Sequence, residues 1–501
     1  MERTIGVGSM AFPDQFVWGA AAASFQIEGT SDQCPRGDSV WDAFCAMPGK
    51  VYQGHDGKRA CMHVTRWRED VALMKDLGLQ AYRLSIAWPR ILPNGTGAVN
   101  DAGLAFYDGL IDKLLNAGIE PYVTLFHWDL PLALHHRGGW MNPDMMDWFA
   151  DYTRIVVDRY SDRVKHWITL NEPQCFILLG HEQGTHAPGL KLPENDILQI
   201  GHNALLAHGR SVQVIREHAK QPPRIGIAPV ATVSIPETER VVDIEAAQNA
   251  TVSGATESLF NTTWWLDPIF HGRYPEAAVK TRLDVMPRVT AKDLVLISEP
   301  VDFCAFNLYQ AGVVRAGAAG EVEHVPYPEG HPVTAMQWPV TPEGLYWACR
   351  FFHERYEHPI LITENGLSCH DWVSVDGEVH DPNRIDFLTR YLSYVKRACD
   401  EGIPVEGYFQ WSVMDNFEWA EGYKDRFGLI YVDYATGKRM PKDSYHWYRE
   451  TIQSKGSHLP PWQACRFATS KPNAGVVISD NLAGLKKRSG DRAQGEQFRK
   501  Q

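Results

Sequence analysis

Pro359-Ile360-Leu361-Ile362-Thr363-Glu364-Asn365-Gly366 is a run of β-forming residues that ends in a carboxylate and then a turn-forming Asn-Gly pair. A short apolar run with turn punctuation predicts a strand buried on both faces, as in a parallel sheet. The chain thus delivers an acidic side chain to the mouth of a buried strand. Desolvating an ionised carboxylate is costly, so such a placement needs partners or a purpose. Trp167-Ile168-Thr169-Leu170-Asn171-Glu172-Pro173 repeats the device, with Asn and Glu at the tip and Pro stopping the pattern.

Working outward, eight short segments read as strands: 16–26, 81–86, 120–126, 166–170, 224–230, 302–309, 359–363 and 405–411. Amphipathic stretches at 67–77, 102–116, 143–160, 345–356 and 384–400 lie between them. Strand alternating with helix implies parallel strands joined by right-handed crossovers, and eight units predict an α/β fold closed as a (β/α)8 TIM barrel. A bare barrel takes about 250 residues. The surplus falls in long βα loops at 30–62, 129–142, 175–195 and 311–342, rich in Gly, Pro, His and Trp. They suit the walls of a deep pocket at the C-terminal face. Residues 1–465 read as one catalytic domain. The basic stretch 466–501, with eight basic and three acidic side chains, reads as a disordered or loosely attached tail.

Composition narrows the function classes. A net charge of −12 argues against a nucleic-acid partner. No apolar span approaches about 20 residues, so a membrane partner is not expected. Pro13-Asp14-Gln15 interrupts the mildly apolar opening, which argues against a signal peptide. Nine cysteines scattered singly point to reduced thiols and a cytoplasmic setting. His181-Glu182-Gln183-Gly184-Thr185-His186 has the wrong spacing for a helical zinc pair, so neither metal nor cofactor is called for.

Strands four and seven face each other across an eight-stranded ring, which sets Glu172 opposite Glu364. Two carboxylates in different environments are what a glycosidase works with. Other strand ends carry matching material: Gln26, Arg83, His127 with Trp128, Asn307 with Tyr309, and Trp411 followed by Glu418 and Trp419. Gln, His, Asn and Glu can bind vicinal hydroxyls, while Trp offers a flat face to the C–H side of a pyranose. Each of these alone is more often a core residue; together at strand tips they are hard to explain as packing.

Over residues 10–455 the chain resembles glycoside hydrolase family 1, the β-glucosidase family. The resemblance rests on FVWGAAAASFQIEG, YRLSIAWPRI, FHWDLP, TLNEP, ITENG and WSVMDNFEW, all in order. It implies a (β/α)8 barrel and retention of anomeric configuration, with Glu364 as nucleophile and Glu172 as acid/base. Gln26, His127, Asn171, Glu418 and Trp419 match sugar-binding positions, with Trp411 beneath the ring and Trp128 and Asn307 in support. Arg83 and Tyr309 match the residues that orient and charge-tune the nucleophile, and Trp338 matches a wall of the leaving-group site. Glu418 stands where the phosphoglycosidase branch places phosphate-binding residues, and Glu172 where plant thioglucosidases carry Gln. Leu132 and Phe25 depart from the usual Gln and Tyr, and Cys175, Phe176 and Leu179 imply an apolar outer wall.

The resulting expectation is a retaining β-glycosidase for terminal β-D-glucosyl residues, tolerant of galactosides and fucosides, with β-glucosides or cello-oligosaccharides as its small-molecule partners. Its two acids should stand about 5–5.5 Å apart. Alternatives are a mainly transglycosylating enzyme and a sugar-binding protein that has lost catalysis. A barrel isomerase for phosphorylated substrates would want a Gly-rich phosphate loop after strands seven and eight, where this chain has Glu418 and Trp419.

Overall fold

The computed structural model describes residues 11–467; the stretch 468–501, on which most of the expected tail falls, lies outside the described residues. Eight parallel strands form the central sheet: β1 (Val17–Ala22), β2 (Ala81–Ser85), β3 (Glu120–Phe126), β4 (His166–Asn171), β5 (Arg224–Ala228), β6 (Cys304–Asn307), β7 (Ile360–Asn365) and β8 (Val405–Trp411). Their spatial order is β5-β4-β3-β2-β1-β8-β7-β6. The two ends meet through backbone bonds from Asp302 N to Ile225 O (2.8 Å), Asn307 N to Pro229 O (2.9 Å) and Ala231 N to Asn307 O (2.7 Å), which close the barrel. The compact unit ends at Arg466, which pairs with Glu239 at 2.5 Å.

Helices flank the strands where the sequence periodicity places them: His63–Leu77, Asp101–Asn116, Met145–Tyr160, Glu343–Tyr356 and Pro382–Asp400. The last shows why. Pro382 sits in the first turn, where its missing N–H costs nothing, and Phe387, Leu388, Tyr391, Leu392 and Val395 form one buried stripe. The barrel interior interleaves small and large side chains. Ala21, Ala81, Ala228 and Ala305 leave room for Tyr122, Phe303, Leu361 and Phe409, all buried in one cluster.

Three expectations need correction. The first strand ends at Ala22 rather than Gln26, and Ser24–Ile27 forms a helical turn. The Ser24 N–H donates to Ser85 Oγ (2.7 Å) and its hydroxyl to Asp129 Oδ2 (2.8 Å), pulling the chain off the sheet. Strands four and seven run further than expected and include Asn171 and Glu364 themselves. The presumed loops at 175–195 and 311–342 carry regular structure. Cys175–Glu182 is a π-helix. Gly312–Ala316 and Val322–Val325 pair antiparallel and join Ser234–Pro236 in a three-stranded sheet.

Replacing Phe409 by Ala leaves a cavity in the centre of the barrel and should cost about 3–5 kcal/mol. A urea midpoint unchanged from the parent would contradict that packing.

Candidate active site

Pairing irregularities fall where the strands carry acid groups. On β7 the register shifts between Ile362 and Glu364 against β6, and between Ile362 and Asn365 against β8. Such bulges turn a side chain away from the direction the pleat would give it. Gly366 follows because nothing larger fits: a Cβ there would lie 1.8 Å from the Trp411 carbonyl oxygen. On the opposite side β4 shifts against β5 between Ile168 and Asn171, and Glu172 N donates to Ala228 O at 2.8 Å. Glu172 takes φ +45°, Trp128 +80° and Trp419 +50°. Left-handed backbone at a residue other than glycine costs roughly 1–2 kcal/mol, and such strain clusters at functional sites.

Arg83, rising from β2, is the hub. Its Nη1 donates to Glu364 Oε1 (2.5 Å) and to Thr363 O (3.3 Å). Nη2 donates to Asn171 Oδ1 (2.6 Å) and Nε to Thr124 Oγ1 (3.1 Å). Tyr309 donates its phenol to the other oxygen, Glu364 Oε2, at 2.8 Å. Asn307 links the two acids: its amide donates to Glu172 Oε1 (2.8 Å) and to Asn171 Oδ1 (3.0 Å), and it lowers the proton affinity of both carboxyls. The Asn307 carbonyl in turn accepts from Thr363 Oγ1 at 2.7 Å. Asn171 Nδ2 lies 3.1 Å from His127 Nε2, and burial together with Arg83 holds that imidazole neutral. Asn171 donates here because its Oδ1 is already occupied.

The acids differ in their surroundings. Burial, then the charge of Glu364, pushes Glu172 up to about 8, against the opposing bonds from Asn307 and Cys175. Burial also pushes Glu364 up, but Arg83, Tyr309 and Asn307 all favour its charged form. A group that keeps its proton near neutral pH thus stands beside one whose anion has a guanidinium and a phenol waiting. The Cys175 thiol, a wall residue by sequence, bonds Glu172; its position three residues past that acid is the available signal.

Both acids open into a cavity of about 620 Å³ together with His127, Trp128, Tyr309, Trp338, Trp411, Glu418 and Trp419. Trp128 and Trp419 pack with centroids 4.5 Å apart, and His127 stacks 5.7 Å from Trp411. Glu418 accepts from Asn416 Nδ2 (2.7 Å) and Gln26 Nε2 (3.2 Å), and burial raises it to about 8. Gln26, Asn171 and Asn307 are fully buried behind this lining. Among the described residues Gln26 Oε1 finds no hydrogen-bond partner. His186 also lines the cavity, edge-on to Trp128 at 5.8 Å. Phe176 does not belong to the wall: it is buried against Phe126 and Trp140, because the π-helix turns it inward.

A closed (β/α)8 barrel with two unlike buried carboxyls at the carboxyl ends of β4 and β7 defines a class of barrel enzyme. Residues 9–457 match the glycosyl hydrolase family 1 profile. Beta-glucosidase A of Thermotoga maritima is 44% identical over 451 residues, covering 89% of this chain and 98% of that protein. The beta-glucosidase of an Agrobacterium species is 41% identical over 454 residues, covering 89% and 97%. The solved structure of the Thermotoga maritima beta-glucosidase in complex with glucoimidazole superimposes with a TM-score of 0.81, covering 89% of this chain and 100% of that one. The chain belongs to glycosyl hydrolase family 1.

The charge coupling is testable without turnover. Glu364→Gln removes the negative neighbour, so the Glu172 carboxyl should titrate below about 8 in a ¹³C NMR titration of labelled glutamate. An unchanged midpoint would show that burial alone sets it.

Proposed function

We propose that this chain is a retaining β-glycosidase that releases terminal β-D-glucosyl residues, with Glu364 as nucleophile and Glu172 as acid/base. The observation that carries the assignment is the asymmetry of support: Arg83 bonds Glu364 at 2.5 Å, while Glu172 receives only neutral donors. Glu364, charged, attacks the anomeric carbon as the bond to the leaving oxygen breaks. Glu172 gives its proton to that oxygen. The glycosyl ester carries no charge on Glu364, so the Coulomb pressure on Glu172 disappears and its proton affinity falls. It then takes a proton from water as the water attacks the ester, and Glu364 returns as the anion. Asn307 favours the charged form of both carboxyls, which fits the short separation that retention requires.

In the same reading Gln26, His127 and Glu418 hold the sugar hydroxyls, Trp411 and Trp419 flank the ring, and Trp128, Asn171 and Asn307 keep these groups in place. Trp128 Nε1 donates to Asn171 O at 2.9 Å. The neutral His127 ring and the unpartnered Gln26 Oε1 fit hydroxyl binding. A buried acid at Glu418 suits a free hydroxyl, whereas a sugar phosphate would call for a cation there, and tolerance of β-galactosides and β-fucosides belongs to the same proposal. Trp338, with its ring 5.2 Å from Tyr309, begins the leaving-group side. Whether cello-oligosaccharides rank above other β-glucosides, and hence whether cellulose breakdown is served, depends on that side. Nine free thiols, seven of them buried, support a cytoplasmic setting. Among the described residues no helix is long and apolar enough to cross a membrane.

Glu364→Gly should abolish hydrolysis of aryl β-glucosides with the fold intact by circular dichroism; retained turnover would overturn the assignment. Glu172→Ala should keep glycosylation by activated leaving groups and regain turnover with azide, and its role fails if azide does nothing. Because the acid must enter protonated, hydrolysis by the parent enzyme should decline as pH rises through about 8.

A further inference from the structure

The leaving group must lie on the side of Glu172, since that residue protonates its oxygen, and this side of the cavity has a distinct chemistry. Glu172 is framed there by the π-helix Cys175–Glu182 and by the segment 230–233 that follows β5. Gln174 ties the two together, accepting from Val230 N (3.2 Å) and donating to Val230 O (2.9 Å). Leu179, Val230 and Val233 of this frame line the cavity, as do Phe260, Met336 and Trp338.

The hydroxyls of Thr232 and Tyr327 on this wall are already engaged, and the exposed Gln310 brings an amide to its rim. The Thr232 hydroxyl accepts from Thr262 N at 3.0 Å and lies 3.2 Å from Thr262 Oγ1. Tyr327 donates its phenol to Ala311 O and stacks on His331 at 4.4 Å, so it turns a ring toward the cavity. The sugar-binding side is the reverse: His127 and Glu418 line the cavity there, backed by Gln26, whose Oε1 has no partner among the described residues. A second sugar against the apolar wall would strand several hydroxyls, each costing roughly five- to a hundredfold in affinity. An alkyl or aryl group would strand none.

Resting on the β-glucosidase reading, we propose that the wall of Leu179, Val230, Val233, Phe260 and Met336 selects an apolar aglycone, an alkyl or aryl group, over a second sugar. The cavity of about 620 Å³ holds a glucosyl unit with room for such a group.

The test is kcat/KM for methyl, butyl, hexyl and octyl β-D-glucosides, below their micellar concentrations, against cellobiose. These alkyl leaving groups are chemically alike, so differences report the wall. The expected result is a rise of about fourfold per methylene until the wall is filled, with octyl glucoside well above cellobiose. In Met336→Gln and Leu179→Gln, both at partly exposed positions that should fold, the slope of the series should flatten. Hydrolysis of the whole series at rates independent of chain length, or cellobiose above octyl glucoside, overturns this inference and leaves the β-glucosidase reading standing. No hydrolysis of any member overturns both.

Discussion

A guanidinium buried at the floor of the pocket organises the site. Arg83 is 1% exposed, and each of its donors has a partner on a different strand: Thr124 on β3, Asn171 on β4, Glu364 and Thr363 on β7. A cation taken out of water is tolerable only when its donors are all met and its charge is balanced. Closing the barrel satisfies that condition, because it brings β2, β4 and β7 around one point. The same bonds make Glu364 an anion that can be used and fix Asn171, which in turn fixes His127. Electrostatic tuning and mechanical alignment are therefore one set of contacts.

Asymmetry between two like residues follows from that centre. Glu172 and Glu364 are both fully surrounded by protein, and burial drives both toward the neutral acid. Only one can be charged cheaply, and Arg83 decides which. The charge so placed raises the proton affinity of the other, coupling the two acids through space. Asn307 bridges them without choosing, since a neutral amide supports either anion. The cavity repeats the pattern on a larger scale. One part of the lining gathers His127, Glu418 and the rings of Trp128, Trp411 and Trp419, another Leu179, Val230, Val233 and Met336, with the hydroxyls of Thr232 and Tyr327 already bonded.

Much of the fold was legible because parallel barrel strands are buried on both faces and so stand out as short apolar runs. All eight were found, and the errors lay at ends and in loops. Residues 16–26 looked like one strand because Phe25 and Ile27 continue the apolar run; Ser24 breaks it by bonding Ser85 and Asp129, sixty or more residues away in sequence. The π-helix after Glu172 was hidden in a Gly- and His-containing stretch, and with it the inward turn of Phe176 and the thiol of Cys175. Local composition cannot register a contact whose partner lies on another strand.

By itself the sequence determined the strand-helix alternation, the presence of a carboxylate at the tips of strands four and seven, and the family to which those motifs belong. These are local: each depends on residues within a few positions of one another. Tertiary structure decided which oxygen Arg83 holds, that Asn307 favours the charged form of both acids, that Gln26 sits on a helical turn bonded to Glu418, and that the hydroxyls of Thr232 and Tyr327 beside the cavity are tied up. Those facts require closure of the ring, which brings residues 83, 171, 307 and 364 within bonding distance. Charge and hydrogen bonding act over a few ångströms in space, so how the two acids differ was not readable until the chain had closed.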